Sequence, residues 1–236
     1  MRTKAVFFDL GGTLLIMRRD RVFRRVLLDE SIELELDRVH SAYVRLDPWW
    51  VGEYGTRIMS PEETVRAYRA LDAKVFLALF PESDPEDASR VAKVVQARWS
   101  EVEESIPLEL YPDAEPLLKV LKSEGYLMAL VSNAPPDTDR VIAPLHLGRY
   151  LDPIVISGLV GYSKPNPEIF RVALKSVGVK PSETVHIGDL YESDIVGARN
   201  AGIEGILLDR DGTQGNRDCK TLGNLSEVIP LLASGL

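Results

Sequence analysis

Short apolar segments alternate with helix-forming segments throughout the second half of the chain, and this alternation constrains the fold most strongly. In chain order the predicted elements are a helix at 114–123, a strand at 126–132, a helix at 137–147, a strand at 154–157, a helix at 167–177, a strand at 184–187, a helix at 193–201 and a strand at 205–208. Strands of four to seven apolar residues that are separated by helices form right-handed βαβ units around a parallel sheet. We therefore predict a doubly wound, Rossmann-like α/β fold.

The first part of the chain has a different character. Residues 4–10 form a short β-rich run that ends at two glycines, which predicts a buried strand followed by a tight turn. Helical periodicity then extends over residues 20–104, and Ser60-Pro61-Glu62-Glu63 has the pattern of a capped helix start. We predict an all-helical subdomain at 17–106, inserted after the first strand of an α/β core formed by 1–16 and 107–236.

Charge and cysteine content exclude several classes of protein. With 36 acidic against 28 basic residues, the net charge of −8 disfavours a nucleic-acid-binding surface. Cys219 is the only cysteine, so neither a disulfide within the chain nor a thiolate zinc site can form. Asp9 interrupts the first apolar run too early for a signal peptide, and no later run has the length of a membrane span. We expect a cytoplasmic protein; the sequence does not indicate its oligomeric state.

Polar residues follow four of the predicted strands at their carboxyl ends. In chain order they are Asp9 with Gly11, Gly12 and Thr13, then Ser132 and Asn133, then Lys164, and finally Asp189 and Asp194. Ligands of open parallel sheets bind beyond the carboxyl ends of the strands. Carboxylates, hydroxyls and an ammonium group gathered at one edge are what magnesium-assisted phosphoryl transfer through an aspartyl nucleophile requires.

The order and spacing of these residues resemble the haloacid dehalogenase superfamily of hydrolases. The segments that carry the resemblance are Phe-Phe-Asp9-Leu-Gly-Gly-Thr13, Leu-Val-Ser132-Asn133, Ser-Lys164-Pro165 and Gly188-Asp189 with Asp194. The resemblance covers residues 1–16 and about 107–210, and it implies that the helical insert is a cap of the superfamily's first class. It also implies a small anionic substrate and a Mg²⁺ cofactor.

The resemblance implies a role for each of these residues. Asp9 is the implied nucleophile, with Thr13 and Ser132 bonding the nucleophile or the phosphoryl oxygens and Lys164 neutralising their charge. Mg²⁺ is implied to bind Asp9, the main-chain carbonyl of Gly11, and Asp189. Asp194 is implied to hold Lys164 or a metal-bound water. Contacts with the substrate are expected from Gly11, Gly12 and Asn133.

The sequence departs from the superfamily's phosphatases at Gly11, where they usually carry a second aspartate as acid and base. A magnesium-dependent phosphatase of small phosphomonoesters remains the main hypothesis. A 2-haloacid dehalogenase is an alternative because chloride needs no protonation, although dehalogenases typically replace the motif that here keeps Asp189 and Asp194. A phosphonate-cleaving enzyme would need a cap lysine that residues 14–30 lack. A non-catalytic phosphate-binding protein is the fourth hypothesis.

Overall fold

The computed structural model describes residues 3–16, 18–54, 59–102, 107–212 and 214–235. These residues form two compact units. Residues 3–16, 108–212 and 214–235 belong to an α/β unit, and residues 18–54, 59–102 and 107 belong to a helical unit. Each unit has its own apolar core. None of the described helices combines the length and the apolar character that crossing a membrane requires.

The described part of the helical unit contains five α-helices packed around one apolar core. They are α1 (Arg18–Asp29), α2 (Leu36–Val44), α3 (Asp47–Tyr54), α4 (Pro61–Leu79) and α5 (Pro85–Val102). Helix α4 begins with the predicted capping box: the Glu63 amide donates to Ser60 Oγ at 3.2 Å, and the Ser60 amide donates to the Glu63 carboxylate at 2.9 Å. The start of this helix is therefore confirmed.

The α/β unit contains a six-stranded parallel sheet with the order β3-β2-β1-β4-β5-β6. The strands are β1 (Ala5–Phe8), β2 (Leu127–Ser132), β3 (Ile154–Ile156), β4 (Thr184–Gly188), β5 (Glu204–Leu208) and β6 (Lys220–Leu222). Strand β1 lies between β2 and β4, with Phe8 opposite Leu130 on one side and Ile187 on the other. This arrangement confirms the predicted doubly wound α/β fold.

Helices cover both faces of this sheet. They are α6 (Ala114–Ser123), α7 (Thr138–Ile142), α8 (Ser157–Val160), α9 (Pro167–Val177), α10 (Gly197–Asn200) and α11 (Val228–Ala233). In β1, Val6 and Phe8 belong to the apolar cluster that includes α6, whereas Ala5 and Phe7 belong to the cluster that includes α9. Burial on both faces explains why the central strands are continuous apolar runs rather than alternating ones.

Two predicted helices differ from the structure. The helix predicted at 137–147 is only α7, followed by 3₁₀ turns at Ala143–Leu145 and Leu147–Arg149. Pro144 explains the break, because it has no N–H to continue the helical bonding. The helix predicted at 193–201 begins earlier, as a π-helical turn at Tyr191–Val196 that continues into α10.

Candidate active site

An ammonium group lies between two carboxylates at the carboxyl edge of the sheet. Lys164 Nζ is 2.5 Å from Asp9 Oδ1 and 2.6 Å from Asp194 Oδ1. Asp9 directly follows β1, and Asp194 lies in the π-helical turn after the neighbouring strand β4. All three side chains are buried. Because buried charges are costly without partners, the three groups depend on one another.

Burial and pairing separate the pKa values of the two carboxyl groups. Burial raises the pKa of Asp9 to about 6, although the ammonium of Lys164 acts to lower it. Burial also acts to raise the pKa of Asp194, but Lys164 and a hydrogen bond from His186 hold that pKa well below its usual range. Burial acts to lower the pKa of Lys164, and the attraction of Asp194 and Asp9 more than offsets it, so the pKa of the lysine is raised. Asp9 is therefore the more basic of the two carboxylates; its role as nucleophile stays a prediction.

His186, in β4, fixes the orientation of Asp194. Its Nε2 lies 2.9 Å from Asp194 Oδ1, and the main-chain N–H of Leu190 donates to Asp194 Oδ2 at 3.0 Å. Burial lowers the pKa of His186. The neutral ring donates through Nε2, while its buried Nδ1 has no hydrogen-bond partner among the described residues. Both oxygens of Asp194 are thus bonded by the protein.

Asp189 follows β4 and lies against the turn that follows β1. Thr13 Oγ1 donates to Asp189 Oδ1 at 3.2 Å. Gly12 has a φ of +77°, and a Cβ at this position would lie 2.2 Å from Asp189 Oδ2. A glycine is therefore required here both by the backbone conformation and by the approach of the carboxylate.

The donor set fits a hard divalent cation. Asp9, Asp189 and Asp194 each bring a carboxylate oxygen into a group whose members lie within 4.8 Å of one another, and all three residues are buried. Three close carboxylates and one ammonium leave an excess of negative charge. Magnesium binds carboxylate oxygens and offsets such charge. The protein bonds both oxygens of Asp194. That Asp9 and Asp189 hold the ion stays a prediction.

Ser132 and Asn133 lie at the end of β2, next to β1 in the sheet. The hydroxyl-bearing Ser132 is buried. The side-chain amide of Asn133 bonds both main-chain groups of Lys164: the Lys164 N–H donates to Oδ1 at 2.7 Å, and Nδ2 donates to the Lys164 carbonyl at 2.9 Å. Asn133 therefore positions the lysine. Its contact with the substrate stays a prediction, as does the part that Gly11 plays in binding metal and substrate.

Two residues that the sequence analysis did not single out contact the same loops. Arg210 and Gln214 follow β5 and bond main-chain carbonyls of Thr13 and Asp189, respectively. A signal for them existed, because residues that follow β5 reach the same edge of the parallel sheet as those that follow β4.

Comparison with known proteins reveals clear similarities. The family model "haloacid dehalogenase-like hydrolase" matches residues 3–202. A phosphoserine phosphatase from Thermus thermophilus is 36% identical over 125 residues, which is 51% of this chain and 50% of that protein, so the alignment spans about half of that relative. A glyceraldehyde 3-phosphate phosphatase from Methanothermobacter thermautotrophicus is 28% identical over 218 residues, or 91% of this chain and 89% of that protein.

A solved structure supports the same fold. The HAD-hydrolase YfnB from Bacillus subtilis, bound to magnesium, superposes with a TM-score of 0.67 and 18% sequence identity. The match covers 99% of this chain and 100% of that one. At this identity the likeness concerns the fold alone.

Proposed function

Because the chain belongs to the haloacid dehalogenase-like hydrolase family, we propose that it is a magnesium-dependent phosphatase that cleaves a small phosphomonoester through a phosphorylated Asp9. The contact of Lys164 with both Asp9 and Asp194 carries this proposal. It sets a cation beside a buried carboxylate whose pKa still leaves it ionised at neutral pH. The phosphatase names of the curated relatives support the same reaction.

The proposed reaction has two steps at phosphorus. In the first, an Asp9 oxygen forms a bond to phosphorus while the bond from phosphorus to the substrate's alkoxy oxygen breaks, and that oxygen takes a proton from water. Lys164 offsets the negative charge gathered by nucleophile and substrate, and Ser132 supplies a hydroxyl donor. The one hydroxyl proton of Thr13 is donated to Asp189, so Thr13 acts by bonding that carboxylate. In the second step, a water oxygen forms a bond to phosphorus while the bond from phosphorus to the Asp9 oxygen breaks, and the proton of that water neutralises the hydroxide left by the first step. Inorganic phosphate and the Asp9 carboxylate result.

Magnesium, when held by Asp9, Asp189 and the Gly11 carbonyl, would supply further positive charge at the phosphoryl oxygens. Asp194 holds the Lys164 ammonium in place, and His186 orients Asp194.

Gly11 sets the expected limit of this activity. A positioned acid or base contributes about 10² to 10⁴ in rate, and glycine offers no such group. Substrates whose leaving oxygen needs a proton should therefore react slowly, and aryl phosphates should react faster.

Different segments of the chain have different proposed roles. We assign catalysis to 1–16 and 107–236, and the choice of substrate to 17–106 acting as a cap. The chain's single cysteine suits a reaction in the cytoplasm.

The test is release of phosphate from p-nitrophenyl phosphate with Mg²⁺ and with EDTA. We expect activity that needs Mg²⁺ and is lost in Asp9→Asn but kept in Asp139→Asn, an exposed aspartate at the start of α7. Full activity in EDTA or in Asp9→Asn would overturn the proposal. Metal-independent chloride release from 2-chloropropionate would instead assign a dehalogenase. Stable phosphorylation of Asp9 without turnover would assign a phosphate-binding protein.

A further inference from the structure

Arg210, the second residue after β5, bonds the main chain of the turn that follows β1. Its Nη2 donates to the carbonyl of Thr13 at 2.9 Å, and its Nε donates to the carbonyl of Gly12 at 3.4 Å. The same guanidinium pairs with both carboxylate oxygens of Asp113, at 2.9 and 3.0 Å, and lies 3.8 Å from the centre of the Tyr111 ring. A planar fork held on three sides is a rigid donor. Arg210 therefore fixes where the Gly12–Thr13 turn lies.

Gln214, four residues later, bonds the main chain of the loop that follows β4. Its Nε2 donates to the carbonyl of Asp189 at 2.6 Å. Its own N–H donates to Asp209 Oδ2 at 3.1 Å, and the Asp209 N–H donates to the carbonyl of Leu222 in β6 at 2.9 Å. Asp209 is buried. The main-chain N–H of Gln214 is thus bonded to Asp209, which is itself bonded to strand β6.

The two bonds converge on a pair of residues that touch each other. Thr13 Oγ1 donates to the Asp189 carboxylate, while Arg210 and Gln214 bond the main-chain carbonyls of these same two residues. We propose that Arg210 and Gln214 are positioning residues, which keep Thr13 and Asp189 at the separation that catalysis and Mg²⁺ binding need. This inference rests on the proposed function for its catalytic part, and neither residue is assigned a contact with the substrate.

Gln214→Glu removes the donor and keeps the shape of the side chain, because the glutamate side chain has no N–H groups. It also adds a negative charge, which alone would favour Mg²⁺ binding, so a weaker affinity reports the lost donor. A carboxylate oxygen would then face the Asp189 carbonyl, and the loop would move away. Partners that orient a metal ligand are worth about 10- to 100-fold in metal affinity or activity. We expect a fall in kcat and a rise in the Mg²⁺ dissociation constant of about that size, with little change in KM.

Arg210→Lys tests the other contact. Lysine keeps the charge but cannot bond Asp113 and the Thr13 carbonyl with one planar group. We expect the same direction of change in kcat and in Mg²⁺ affinity as for Gln214→Glu.

Matched controls lie on the same unit. Asn216→Asp makes the same amide-to-carboxylate change at an exposed position two residues further along the segment. Arg171→Lys makes the same cation exchange at an exposed ion pair with Glu168 on α9. Both controls should retain wild-type kcat and Mg²⁺ affinity.

Calorimetric titration of each full-length variant with Mg²⁺, without substrate, separates this inference from the proposed function. All values are taken at a temperature at which far-UV circular dichroism shows every variant to be folded. If Gln214→Glu and Arg210→Lys bind Mg²⁺ and turn over like their controls, the inference is wrong even where the wild type releases phosphate. If the wild type releases no phosphate but both variants bind Mg²⁺ more weakly, the proposed function fails and the positioning role stands. No binding of Mg²⁺ by the wild type would overturn both.

Discussion

Replacing Lys164 with methionine should destabilise the protein strongly at neutral pH. The ammonium contacts two buried carboxylates, and Lys164 itself is 2% exposed. Removing one partner of a buried ion pair costs about 3–5 kcal/mol, because a charge is left without compensation. Methionine fills the space of the lysine stem, so the loss is electrostatic rather than a cavity effect. We expect the free energy of unfolding at pH 7 to fall by about 3–5 kcal/mol.

The size of this loss should depend on pH. In the wild type, Lys164 outweighs burial and holds the pKa of Asp194 below its unfolded value, so this carboxylate contributes stability above about pH 4 that is lost as the pH falls further. In the wild type the pKa of Asp9 is already raised to about 6, so Asp9 adds some stability as the pH falls from 7 to 5. Without the ammonium, burial raises the pKa of Asp9 further and raises that of Asp194 above its unfolded value, so the variant gains more than the wild type. The folded variant then binds more protons than the unfolded chain, so its stability rises as the pH falls from 7 to 5. The difference from the wild type should therefore shrink on acidification.

Urea denaturation followed by far-UV circular dichroism at pH 5 and pH 7 measures both effects. EDTA is included so that no divalent cation replaces the missing charge. The control is Lys175→Met, at an exposed position of α9, which should change the free energy of unfolding by no more than about 0.5 kcal/mol. A loss for Lys164→Met no larger than that of the control, or one that grows toward pH 5, would refute the reasoning.

Two glycine substitutions test the turn after β1. Gly12→Ala places a Cβ 2.2 Å from Asp189 Oδ2 at a φ of +77°, whereas Gly125→Ala has a φ of +82° and open space. Both variants should lose about 1–2 kcal/mol of folding stability, because alanine disfavours the left-handed backbone. Only Gly12→Ala should weaken Mg²⁺ binding in calorimetry. Equal Mg²⁺ affinities of the two variants would contradict the proposed metal site. Gly11→Asp should raise kcat for alkyl phosphates by at most about 10² to 10⁴, and should raise it less for p-nitrophenyl phosphate. If kcat rises with neither substrate, the lack of an acid or base at position 11 does not limit the reaction.

The sheet and its carboxyl edge could be predicted because the burial of a strand determines which residue types it contains. Strands covered on both faces are apolar throughout, and parallel strands bring their carboxyl ends together. Asp9, Lys164 and Asp194 lie together at this edge, and their roles in catalysis stay predictions. Strand β6 has no apolar run by which it could be predicted, since Lys220 and Thr221 are exposed and only Leu222 is buried.

Contacts to the main chain were harder to predict. Arg210, Gln214 and Asn133 all bond backbone groups of site residues. Because nearly every residue carries a carbonyl and an N–H, no spacing in the sequence marks which one is bonded. Pro144 is a different case, because its missing N–H was visible in the sequence and should have shortened the predicted helix.

The central place of β1 has a consequence for how the protein is made. Ala5 pairs with Leu127 on one side and with Thr184 on the other. At about 5–20 residues per second on the ribosome, β4 is synthesised on the order of ten seconds after β1. Both edges of this apolar strand lack their native neighbours until β2 is made, and the edge that pairs with β4 lacks its neighbour for the whole interval. Unpaired strand edges of this kind can recruit chaperones or associate wrongly. Lys164, which contacts both Asp9 and Asp194, cannot complete this cluster before residue 194 has been synthesised, so the nascent polypeptide lacks the candidate site until then.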